Sequence, residues 1–109
     1  MVNKIIRGTT PNIECYITGD VAAEHLFFSI GADMESPWFT VKWQEMDISF
    51  DGEKTKVSFM LTQEQTLICK PGNAIAQIRS INDDGFANAS NAVSLEIIDI
   101  LKDGVIAYE

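Results

Sequence analysis

The sequence predicts one small all-β sandwich of about seven strands, and three observations carry that prediction. Apolar residues recur at every second position through most of the chain, as in a sheet with one buried and one solvated face. Turn-forming residues interrupt the alternation roughly every ten positions. A helical signature occurs in one short stretch only. At 109 residues the chain is a single domain, 1–109, long enough to bury one core without obligatory staples. A small barrel of the same strands is the lesser alternative.

Ile13, Cys15 and Ile17 alternate with Glu14, Tyr16 and Thr18, and Thr18-Gly19-Asp20 ends the run. Leu26, Phe28 and Ile30 repeat the rule up to Gly31-Ala32-Asp33. Phe39, Val41 and Trp43 then share one face and Trp38, Thr40 and Lys42 the other, which assigns Trp43 to the core. Asp51-Gly52 joins Ile48 and Phe50 to the next run, where Val57, Phe59 and Leu61 alternate with Lys56, Ser58 and Met60. Thr62-Gln63-Glu64-Gln65 is a capping box with Thr62 as N-cap and Gln65 reaching back. Glu64 suits the first turn of a helix, and Lys70-Pro71-Gly72 stops it, so a short helical turn is expected over 63–69. Near the end, Asp84-Gly85 suits a type I′ hairpin. The register that this turn favours pairs Asp83 with Phe86, Ile78 with Asn91, Ala76 with Val93 and Ala74 with Leu95. A one-residue slip, with Arg79 opposite Ala89, mixes polar and apolar partners and is the poorer choice.

Sixteen acidic residues against eight basic ones give a formal charge of −8 and a pI near 4.4. Such a surface repels phosphate backbones and anionic membranes, and the basic residues are scattered, so neither is an expected partner. Lys4 and Arg7 have no apolar stretch behind them, so no export signal is expected. No apolar run approaches the ~20 residues of a spanning helix. The expectation is synthesis in a cytoplasm, where Cys15 and Cys69 stay reduced as buried or half-buried thiols. Their spacing is also similar to that of the bridge across an immunoglobulin sandwich.

The residues of catalysis are not assembled in this sequence. His25 is the one histidine, and any serine or cysteine nucleophile would need it as base. Carboxylates such as Glu45, Asp47, Asp51, Asp99 and Asp103 are plentiful, but a domain whose own strands fill its core leaves little room for a cleft between two of them. Asn82-Asp83-Asp84 is explained by turn chemistry better than by calcium. The expectation is a protein that is not an enzyme and carries no cofactor and no metal.

Three features suggest binding. Trp38 follows Pro37 on the polar face of its strand, either as an exposed platform for a sugar or partner, or as a rim residue packed on Met34 or the chain ends. The other two are the apolar chain ends, Ile5 and Ile6 at one and Val105, Ile106 and Tyr108 at the other. Each end is either an edge strand of its own sandwich or a strand offered to a neighbouring subunit.

Three landmarks recur in order: Asn3-Lys4-Ile5-Ile6-Arg7-Gly8-Thr9-Thr10-Pro11, Leu61-Thr62-Gln63-Glu64-Gln65-Thr66-Leu67, and Asp99-Ile100-Leu101-Lys102-Asp103-Gly104-Val105-Ile106. With them the chain resembles a group of short proteins encoded near tail and baseplate genes in phages and prophages of Gram-positive bacteria. That group is similar to the immunoglobulin-like N-terminal modules of baseplate upper proteins. Such chains often carry a longer polar hairpin where this one has Ser36-Pro37-Trp38. The resemblance implies an immunoglobulin-like antiparallel sandwich and a structural role in a phage tail, baseplate or particle surface. It implies partners among other phage structural proteins or copies of itself, and residence in the bacterial cytoplasm before the virion. It supplies no catalytic residue. The alternative function is a carbohydrate- or host-surface-binding module using Trp38, with a glycan as ligand.

Overall fold

A computed structural model describes residues 4–21, 24–33, 35–89 and 92–107. Along the chain come β1 (Lys4–Ile6), β2 (Asn12–Thr18), β3 (His25–Gly31) and β4 (Phe39–Lys42), then a single 3₁₀ turn at Trp43–Glu45. Next are β5 (Asp47–Phe50), β6 (Lys54–Met60), α1 (Gln63–Ile68), β7 (Gly72–Ile81), β8 (Ala87–Ala89) and β9 (Val93–Ile98). The larger sheet runs β1-β9-β7-β3-β4, with β8 also on β7, and the smaller runs β2-β6-β5. The β9-β7-β3 and β2-β6-β5 layers reproduce the two-sheet order of an immunoglobulin-like sandwich.

The alternating residues build the core as expected. Ile13 and Cys15 from β2, Leu26, Phe28 and Ile30 from β3, and Val57 and Phe59 from β6 are all buried. Phe28 and Phe59 meet across the sheets with ring centroids 4.9 Å apart, which sets β3 over β6. The capping box forms in full: Thr62 Oγ1 accepts from the Gln65 amide, and Gln65 Oε1 accepts from the Thr62 amide. The helix stops at Ile68, one residue earlier than expected, because Cys69 is already extended.

Four expectations need correction. Among the described residues there are nine strands rather than about seven, and the sandwich is not wholly antiparallel. Lys4–Ile6 forms its own strand and pairs parallel to β9, Ile5 opposite Ile97. The Asp84-Gly85 turn is not type I′, since among the described residues, Asp84 included, none other than glycine has a positive φ. Asn82 supplies the alternative: its carbonyl accepts from the Gly85 amide, and its Oδ1 accepts from the amides of Asp84 and Phe86. Gly85, at φ +87°, then closes a three-residue loop as a bulge.

That loop changes the register next to it. Arg79 pairs with Ala89 and Ile81 with Ala87, which is the slipped pairing. Farther along, Ala76 pairs with Val93 and Ala74 with Leu95, as the favoured register requires. From one set of pairs to the other β7 advances three residues and its partner strand four, so one extra residue absorbs the slip. The expected Ile78–Asn91 pair lies outside the described residues. The fourth correction is Trp43, which is half-buried rather than core, because the strand ends at Lys42 and the 3₁₀ turn breaks the alternation.

Candidate functional site

The three landmark segments converge on one end of the sandwich. Arg7 holds them together. Its Nε donates to the Cys69 carbonyl at 3.0 Å, and Nη2 donates to the Leu67 carbonyl at 2.9 Å, so it caps the end of α1. Nη1 donates to Asp99 Oδ1 at 2.7 Å, and Nη2 lies 3.2 Å from Asp103 Oδ1. The guanidinium side chain is only 14% exposed. Its planar fork suits this task, since it reaches two carbonyls and two carboxylates at once. In return, the Arg7 hydrogen bond, with help from the Ile100 amide, holds the Asp99 carboxyl below its ordinary pKa.

Two smaller ties complete this clasp. The buried Thr66 hydroxyl donates to the Thr9 carbonyl at 2.9 Å, fixing α1 to the segment that leaves β1. The Gln63 side chain imitates a strand partner for Ile106: Nε2 donates to its carbonyl at 3.0 Å, and Oε1 accepts from its amide at 2.8 Å. The chain beyond β9 is therefore held by side chains, not by a sheet.

Exposed apolar residues lie within or next to the segments that the clasp joins. Ile6 ends β1 beside Arg7, Ile68 ends α1, and Met60 ends β6. Leu101, Val105 and Ile106 follow β9 and are at least half exposed. A shallow depression of about 370 Å³ runs between Met60, the start of α1 and Val105.

The expected binding residues divide accordingly. Ile5 is 2% exposed and belongs to the core, so the N-terminal end serves as an edge strand of its own sandwich. Ile6, Val105 and Ile106 are exposed at the clasp. Tyr108 lies outside the described residues. Trp38 is half-buried and packs on the core, its amide bonded to the Ile30 carbonyl at 2.7 Å. Sequence reasoning missed Arg7 and Gln63, whose partners lie from 43 positions away (Gln63 to Ile106) to 96 (Arg7 to Asp103).

Elsewhere His25 is exposed and stacks on Trp43, with centroids 3.9 Å apart, and Phe27 meets the same indole edge-on. Both cysteines are free and buried. Burial raises the pKa of Cys15 and pushes that of Cys69 up to about 11, leaving neutral, weakly nucleophilic thiols. Among the described residues no group of three or more His, Cys, Asp or Glu is placed to hold a metal. Among them, too, no helix is long and apolar enough to cross a membrane. Neither a known protein family nor a curated protein matches the chain.

Proposed function

We propose that this domain is a non-enzymatic structural component of a phage tail, baseplate or particle surface, acting through contacts with neighbouring structural proteins or further copies of itself. It would be made in the bacterial cytoplasm and then built into the virion. The observation that carries the reading is the clasp. The three segments behind the phage resemblance meet there around Arg7, and Ile6, Leu101, Val105 and Ile106 within them, with Met60 and Ile68 flanking the middle one, are exposed. Grouped apolar side chains on a soluble domain are the usual mark of a protein–protein interface.

The test is sedimentation and co-purification with the neighbouring tail gene products, comparing the native chain with Val105→Ser/Ile106→Ser and with deletion of residues 103–109. Assembly should weaken in both variants while the β-sheet spectrum is retained. Unchanged sedimentation and unchanged co-purification would remove the support for this surface. The glycan reading takes second place, because the Trp38 indole is partly spent on the core.

A further inference from the structure

We infer that β2 is an acceptor edge, and that an extended segment of a partner protein pairs with it and fills the cleft beneath β9. Among the described residues the strand order leaves five edges: β1, β8, β4, β2 and β5. Four of them are protected by shortness, with three residues each in β1 and β8 and four each in β4 and β5. The seven-residue β2 is different. It contains no proline and no lysine, and its one charge, Glu14, stands on the outer face.

The unpaired backbone groups of this edge follow from the ladder to β6. The Leu61 amide donates to the Pro11 carbonyl, and the Gly19 amide donates to the Glu53 carbonyl. In an antiparallel ladder hydrogen-bonded pairs alternate, so Ile13, Cys15 and Ile17 turn their amides and carbonyls toward β6. Asn12, Glu14, Tyr16 and Thr18 turn theirs outward, and among the described residues no strand takes them.

Beside this edge the gap between the sheets stays open. A cleft of about 580 Å³ reaches inward past Cys15 and Ile17 to Phe28, Ala76, Ile78 and Val93. Its shape selects the occupant. With β3 over β6, the strand order sets β7 over β2 and carries β9 and β1 past the β2 edge. A second sandwich approaching β2 would collide with that overhang. One extended segment slides under it, bonding Asn12, Glu14, Tyr16 and Thr18 while every second side chain enters the cleft. Only an alternating apolar strand satisfies both halves of the slot. This inference does not rest on the particle reading, since a free peptide tests it.

The probe is a synthetic heptapeptide of alternating threonine and valine. A second version is N-methylated on the threonines, whose amides would face β2. Titrated into the full chain and followed by amide NMR, the first should shift Asn12, Glu14, Tyr16 and Thr18. The methylated version should bind at least about tenfold more weakly, which is the loss of roughly one hydrogen bond. Glu14→Pro should likewise abolish the shifts, because the amide it removes faces away from β6 and the ladder survives. Equal binding of the methylated peptide, or shifts confined to other edges, would overturn the inference. So would concentration-dependent shifts of the same amides without peptide, because they would put a second copy of this chain in the slot.

Discussion

Arg7 and Asp99 are 92 positions apart in the chain, and their side chains meet at 2.7 Å. This contact ties the first strand to the segment after the last, with the carbonyls of Leu67 and Cys69 gripped by the same guanidinium. One cation thus joins the segments that carry the exposed Ile6, Leu101, Val105 and Ile106.

Replacing Arg7 with alanine should release the segment after β9 first. Limited trypsin digestion should then cut at Lys102 much faster than in the native chain, while the sheet spectrum persists. Equal cleavage rates would show that the clasp does not hold this segment.

The capping box makes a local prediction. Thr62→Ala removes the oxygen that accepts from the Gln65 amide and should cost about 1 kcal/mol in denaturant unfolding. Thr62→Ser should cost much less, because it keeps that acceptor.

Gly31 lies under the turn between β3 and β4. A Cβ there would come within 2.7 Å of the Ser36 carbonyl oxygen and 3.1 Å of Pro37 Cα, both backbone atoms. Gly31→Ala should therefore destabilise by roughly 1–3 kcal/mol, as forced overpacking does. An unchanged denaturation midpoint would mean that the turn shifts freely.

Acid should act through carboxyls whose pKa the fold lowers. The Arg7 bond and the Ile100 amide lower Asp99, and the amides of Lys54 and Glu53 lower Asp51. The stability they contribute is present above their unfolded pKa, near about 4, and is lost as pH falls through the lower folded values. The melting temperature should hold from neutral pH to about 5 and fall below about 4. Asp99→Asn should flatten part of that fall. Superimposable profiles would show that Asp99 is not part of it.

Alkali should act through Cys69. Burial pushes its thiol up to about 11, so the fold favours the neutral form, and stability should decline as pH rises from about 8.5 toward that value. Cys69→Ala should reduce the decline, at the cost of a lower melting temperature at neutral pH.

What was legible in the sequence is what short-range chemistry determines. The alternation of Ile13, Cys15 and Ile17 with Glu14, Tyr16 and Thr18 is the period of the strand itself, and it placed β2 correctly. The capping box needs residues only three apart, and Thr62 and Gln65 are where they were expected. The Asp84-Gly85 turn was misjudged because Asn82, just upstream, captures two amides and selects a different loop. Trp43 obeyed the alternation on paper, but a 3₁₀ turn had already ended the strand. The clasp was illegible for a different reason. Nothing local to Arg7 says that its donors will find Leu67, Cys69, Asp99 and Asp103, because only the assembled sheets bring those atoms together.

The proposed incorporation of this domain into a particle is tested most directly by protein counting in purified particles. Particles are banded on a density gradient, and the chain is quantified by mass spectrometry against the tail and baseplate proteins. The account predicts a fixed copy ratio that survives repeated banding. Absence of the chain from the particles and from their assembly intermediates would contradict it.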